Sequence, residues 1–169
     1  MIWLRLALFA LLLPGLALGL GPWWVLRTGW GGRVALGALR LLGWLPLAAG
    51  AALMLWCWVA FVRQGHGTPA PYDPPRRLVV QGPYRVVRNP MYVAGLAILL
   101  GLAIVTGAPA LLAYAGAFWL AAALFVRGYE EPALRRRFGA AYDDYRRRVP
   151  GWIPRRPPPR RDEGTPPAG

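Results

Sequence analysis

The sequence predicts an all-α, polytopic membrane protein with about four transmembrane helices, the last two a tight hairpin, and a C-terminal amphipathic surface helix. Three observations predict it. Hydrophobic residues make up 56% of the 169 positions, and they fall in long blocks, not at the three-to-four spacing of a soluble helix. Nine tryptophans accompany them, among them Trp23, Trp24 and Trp30 between the first two blocks, and amphipathic rings favour a membrane interface. All twenty basic residues are arginines, giving a net charge of +13, and they stand beside the apolar blocks, where they orient spans and meet anionic lipid headgroups. That placement argues against nucleic acid as the partner. Cys57 is the sole cysteine and His66 the sole histidine, which excludes a disulfide and leaves no ligand set for a metal. His66 is expected to be an ordinary loop residue.

Residues 2–20 are apolar apart from Arg5 and are long enough for a first span. Ala17-Leu18-Gly19 weakly resembles a signal-peptidase site, but the positive region before it is thin, so a retained anchor is expected. Residues 21–33 read as a short loop. The second span covers about residues 34–62, long enough that the helix tilts or Arg40 snorkels. Residues 65–95 are neither a span nor a tail. Asn89 is a good N-cap and Pro90 suits the first helical position, so a helix starts at Pro90. The third span is expected at 91–106 and the fourth at 110–127, with only Thr106-Gly107-Ala108-Pro109 between them. The fourth helix is expected to run on through Gly128 and Tyr129 into Glu130-Glu131-Pro132.

Over residues 133–149 the pattern changes. Leu134, Phe138, Tyr142, Tyr145 and Val149 recur at helical spacing, with Arg135 to Arg137 and Arg146 to Arg148 opposite and Asp143/Arg147 and Asp144/Arg148 at i,i+4. A basic amphipathic helix of this kind lies on headgroups. Residues 155–169 form a Pro- and Arg-rich tail, expected to be disordered, so a single domain covers 1–154. In the four-span arrangement seventeen arginines share one side and Arg27, Arg33 and Arg40 the other. The positive-inside rule then puts both termini and the central loop in the cytoplasm, with the chain in the inner membrane. An all-arginine complement of basic residues suggests a GC-rich bacterial genome.

The start of the third span is the first candidate site. The free N–H groups of Met91, Tyr92 and Val93 and the positive end of the helix dipole would face the preceding loop and favour an anion. Arg85 and Arg88 stand before it, Tyr84 and Tyr92 flank it, and Gly82-Pro83 turns behind it. A hairpin returns Glu130 and Glu131 to the same side, with helix axes roughly 8–10 Å apart. Arginines and a helix N-terminus facing two carboxylates suit a zwitterion. Two plainer alternatives stand beside this: Asn-Pro as a simple cap, and the glutamates as acids at the start of the surface helix.

The stretch G-T-P-A-P-Y-D-P-P, then L-V-V-Q-G-P-Y-R-V-V-R-N-P-M-Y, then E-E and V-P-G-W-I-P, resembles the isoprenylcysteine carboxyl methyltransferase family over about residues 40–154. That family in turn resembles phospholipid N-methyltransferases. Arg88, Pro90, Tyr92, Glu130 and Glu131 match its Arg-His-Pro-x-Tyr-x-Gly and Glu-Glu hallmarks, whereas Asn89 replaces the histidine and Ala94 the glycine. The resemblance implies methyl transfer from S-adenosylmethionine to a lipophilic acceptor from the bilayer, with carboxyl O-methylation as the name-giving reaction. It assigns the donor to Tyr84, Asn89, Pro90, Met91, Tyr92, Glu130 and Glu131, and the acceptor headgroup to Arg88 as the catalytic residue. Asn89 keeps the cap but cannot titrate. Membrane sterol-type reductases, which use NADPH, also carry an Arg-x-Pro-x-Tyr segment, and a non-catalytic scaffold is the third class.

Overall fold

A computed structural model describes residues 14–65 and 76–154. Most of the expected first span, His66 with the Pro-rich half of the central loop, and the tail from residue 155 lie outside the described residues. Among the described residues all regular structure is helical, with no strand.

The chain enters through wide, π-type turns at Gly15–Leu20, whose end is marked by Gly21 N–H donating to Leu16 O, and continues as α1, Gly21–Thr28. The loop expected at 21–33 is therefore largely helix. Trp23 and Trp24 stand exposed on α1, and only after Thr28 does Gly29, at φ 64, end the helix in the left-handed region. Helix α2 spans Gly37–Gly65. It begins later than residue 34 because Val34 N–H is taken by Gly107 O at 2.7 Å, which ties the segment before α2 to the α3–α4 turn. Its last turns, Phe61–Gly65, are again wide.

Helix α3 is Pro90–Thr106, starting where the Asn-Pro pair puts it. Gly107, at φ 62, closes it, and Ala108 N–H reaches back to Ala103 O at 3.2 Å, the six-to-one bond of a Schellman end. The chain then reverses into α4, Ala110–Phe138, which runs unbroken through Glu130 and Glu131 with a wide turn at Val126–Glu130. The glutamates therefore lie inside a continuous helix and do not start a separate one. The single surface helix expected at 133–149 is divided at Gly139, whose φ of 53 and ψ of −129 are open only to glycine. After it comes α5, Ala140–Arg148, whose Tyr142 and Tyr145 are buried in the protein and do not rest on headgroups.

Helices α2 and α4, each 29 residues, are long and apolar enough to cross a membrane, while α3 is apolar but has 17 residues. At 1.5 Å per residue α3 spans about 25 Å, short of the ~30 Å hydrocarbon core. The count of four spans remains an expectation from sequence.

Helix α2 packs most extensively on α3, and glycine makes this possible. A Cβ at Gly43 would stand 2.7 Å from Gly101 O, one at Gly50 2.7 Å from Ala94 O, and one at Gly101 2.7 Å from Leu47 N. The seven-residue interval between the two contacts is the same on both helices, running in opposite directions, as an antiparallel pair requires. Without a hydrophobic drive between lipid-bathed helices, such close backbone approach supplies the dispersion that holds them together. Gly101→Val is therefore expected to cost about 1–3 kcal/mol. Gly116→Ala, inside α4 where an added methyl meets nothing within 4 Å, is expected to leave stability unchanged or raise it by up to about 1 kcal/mol. Thermal unfolding of both variants in detergent checks this.

Candidate functional site

A cavity of about 660 Å³ opens at the end of the bundle where α3 begins and α4 passes Glu130. Most of its wall is apolar, including Leu18, Met54, Phe118 and Phe125, and its polar end brings together Arg88, Asn89, Glu130, Glu131 and Tyr142. Tyr84, Pro90, Met91 and Tyr92 also line it. All eight site residues read from the sequence thus meet in one cavity. Arg85 does not join them: it is exposed at the end of the tight turn Gly82–Arg85.

Arg88 holds this end together. Its Nη1 lies 2.9 Å from Glu131 Oε1 and donates to Tyr142 Oη at 3.4 Å, with both charged side chains less than one-fifth exposed. Arg146 approaches the other Glu131 oxygen at 3.9 Å. Glu131 is therefore already neutralised from within the protein. The backbone before α3 is pinned as well, because Arg88 N–H donates to Pro150 O at 2.8 Å and Asn89 N–H to Gly151 O at 3.1 Å. Gly151 comes so close that a Cβ there would stand 3.4 Å from Arg88 Nη2.

Asn89 occupies the N-cap position, but its side chain makes no cap hydrogen bond. Its amide Nδ2 and the Nε of Arg88 are buried without a partner among the described residues. Val93 N–H is not free either, since it donates to Asn89 O at 3.3 Å. The N–H groups left for a ligand at this terminus are those of Met91 and Tyr92. The second carboxylate differs in kind from the first: Glu130 Oε2 accepts from Tyr92 Oη at 3.0 Å and has no cationic partner among the described residues.

Two tyrosines of α5 complete the wall. Tyr145 Oη donates to Tyr84 O at 2.7 Å, fastening α5 to the turn Gly82–Arg85. Burial pushes the Tyr145 phenol up, partly opposed by Arg88, so that it stays protonated as the donor this bond needs. Trp152 follows the pinned Pro150 and Gly151, with its ring 6.0 Å from that of Tyr92 and 6.3 Å from that of Trp119. It closes the α3–α4 groove beside the site.

A family model described as phospholipid methyltransferase matches residues 39–141. The chain belongs to the phospholipid methyltransferase family. Curated proteins gave no match, and solved structures gave none. The family is one of methyltransferases, which agrees with the resemblance read from the Arg-x-Pro-x-Tyr and Glu-Glu residues, and the apolar α2 and α4 fit its membrane setting.

Within this phospholipid methyltransferase-family chain the match contains all eight residues named from the sequence and ends just before Tyr142. Tyr142, Tyr145 and the Pro150–Gly151 backbone were not read as site residues. Their signal was present but pointed elsewhere, because two tyrosines three apart on a basic helix suit a headgroup-facing stripe equally well.

Removing one member of the Arg88–Glu131 pair strands the other in a partly buried place. Arg88→Met is expected to cost up to about 3–5 kcal/mol. The Arg88→Met/Glu131→Gln double variant should recover part of this, with a coupling of about 0.5–3 kcal/mol. Unfolding midpoints for the four-member cycle test it, and additive losses would mean that the pair is not coupled.

Proposed function

We propose that the chain is an integral membrane methyltransferase that uses S-adenosylmethionine and acts on a lipophilic acceptor reaching the cavity from the bilayer. The observation that carries this reading is the cavity itself: apolar along most of its wall and polar at one end, where Glu130 has no cationic partner among the described residues and stands beside the N–H groups that begin α3. Its volume falls within the range of about 300–1,000 Å³ usual for small-molecule sites. Family membership favours this class over a reductase or a scaffold.

The residues fit the donor. An amino-acid end needs an anionic partner for its ammonium and hydrogen-bond donors for its carboxylate. Glu130 offers the first, while Met91 N–H, Tyr92 N–H and the orphaned Asn89 Nδ2 offer the second. Tyr84 and Pro90 wall this end. When bound, S-adenosylmethionine supplies a methyl group on a sulfonium centre, ready for displacement. Tyr92 orients Glu130 through their hydrogen bond. Arg88 and Glu131 are occupied with one another, so in this reading they position the loop and the helix end and leave donor and acceptor to other groups. The apolar wall excludes water, which favours a desolvated nucleophile.

The acceptor reading favoured here is a carboxylate, methylated on oxygen. It is ionised near pH 7 and needs no general base. A phospholipid amine is the second reading, favoured by Glu130, whose carboxylate has no cationic partner among the described residues and can take the proton that an ammonium must lose. With the four-span topology expected from the arginine asymmetry, the cavity would open to the cytoplasmic face, where a soluble donor is available.

Glu130→Gln is expected to weaken S-adenosylhomocysteine binding by about tenfold or more, the cost of one charge-assisted contact. Calorimetry on the full chain in an uncharged detergent measures it, with NADPH as the comparison ligand. Unchanged affinity in Glu130→Gln would remove Glu130 from the site, and stabilisation by NADPH alone would replace the methyltransferase reading with a reductase.

A further inference from the structure

The two triple-arginine runs were expected to behave alike, as cations on a headgroup-facing helix, but the structure separates them. Arg135 pairs with Asp143 at 3.1 Å across the Gly139 break, Arg146 approaches Glu131 at 3.9 Å, and Arg147 and Arg148 both pair with Asp144. Arg136 and Arg137 have no carboxylate partner among the described residues, and of the six these are the two that line the cavity. Both are exposed, so they sit at its mouth. Glu130, Leu134 and Arg137 follow one another at i, i+4 and i+7 on α4, which puts them on one face with the two charges about 10 Å apart along the axis.

We infer that Arg136 and Arg137 form an anion subsite at the cavity mouth that binds the headgroup of the acceptor, and that this acceptor is an anionic amphiphile, a carboxylate or a phosphate on an alkyl chain. Three features support this. The arginines lie past the apolar stretch of α4, at the depth where a headgroup travels while its chain lies among apolar side chains. The cavity behind them is walled by Leu18, Met54, Phe118 and Phe125, a surface that accepts hydrocarbon. Guanidinium groups offer a carboxylate or phosphate paired donors, whereas an ammonium headgroup would meet two like charges on its way in. The subsite also separates the two charge needs of the reaction: the cation partner, Glu130, lies two turns deeper, so donor and acceptor are drawn to different ends. This inference rests on the methyl-transfer reading for the identity of the occupant.

The test uses the full chain in an uncharged detergent, with hexadecanoate, hexadecyl phosphate, hexadecanol, hexadecylamine and inorganic phosphate as probes and S-adenosylhomocysteine titrated separately. The wild type should bind hexadecanoate or hexadecyl phosphate about tenfold or more tightly than hexadecanol or hexadecylamine. Weak binding of inorganic phosphate would show that the chain contributes and the ligand is an amphiphile. R136Q/R137Q should lose about tenfold for the anionic amphiphiles and keep its affinity for hexadecanol and S-adenosylhomocysteine. R147Q/R148Q removes the same charge from exposed, already paired positions and should change anion binding by less than about twofold. Three outcomes would overturn the inference: equal losses in the two double variants, which would mean general surface charge; preference of the wild type for hexadecylamine; or loss of S-adenosylhomocysteine binding in R136Q/R137Q, which would assign the arginines to the donor. Failure of S-adenosylhomocysteine to bind the wild type would instead strike the methyl-transfer reading, and the anion titration is read independently of it.

Discussion

The contact on which the rest of this site depends is the ion pair between Arg88 and Glu131. It joins the loop before α3 to the far end of α4, two segments that the hairpin brings to one side but does not by itself hold in register. Placing both charges mostly out of water carries a desolvation cost that a single contact rarely offsets. Here Tyr142 takes a further guanidinium bond and Arg146 stands near the second carboxylate oxygen, so the pair is part of a network. Its effect is to fix geometry more than to add stability. With Glu131 held, Glu130 next to it faces a different way and stays open to a cation.

The helices reach this arrangement by departing from regular geometry where they border the cavity. Wide turns occur at Gly15–Leu20, Phe61–Gly65 and Val126–Glu130, and each contributes wall residues, including Leu18, Phe61 and Glu130. At the third, Glu131 N–H reaches back five residues to Val126 O. One extra residue in a turn rotates everything after it by about 100° relative to a regular helix. The glutamates owe their direction to that offset, which no amphipathic pattern within α4 displays, because the helix is apolar almost all round until Arg127.

Local chemistry explains which parts of the fold could be read from sequence. The start of α3 rests on Asn89-Pro90 and the hairpin on Gly107, both decided by backbone preferences of single residues, and both were legible. The gathering of Arg88, Tyr92, Glu130 and Glu131 followed from the hairpin. What escaped were choices settled by tertiary contact. Residues 21–28 carry Gly and Pro yet continue a helix. Gly139 fits a basic helix until its positive φ divides it. Asn89 has the side chain of a cap but makes no cap bond with it, and its Nδ2 has no partner among the described residues. Tyr142 and Tyr145 obey the spacing of a headgroup-facing stripe, and only the bond from Tyr145 to Tyr84 O shows that they turn inward.

The backbone bonds from Arg88 and Asn89 to Pro150 and Gly151 also bear on how the protein is made. At about 5–20 residues per second, the ribosome adds Gly151 roughly 3–12 s after Asn89. For that interval the N–H groups of Arg88 and Asn89 lack their Pro150 and Gly151 acceptors, whereas α4 is complete at Phe138, so every residue of the α3–α4 hairpin is made before those acceptors are. The hairpin residues are therefore in place before the backbone at the α3 start is pinned, and the last described segment of the chain supplies that pin. A ribosome that stalled or a chain cut short of Pro150 would yield a protein with its helices in place and its chemistry never assembled.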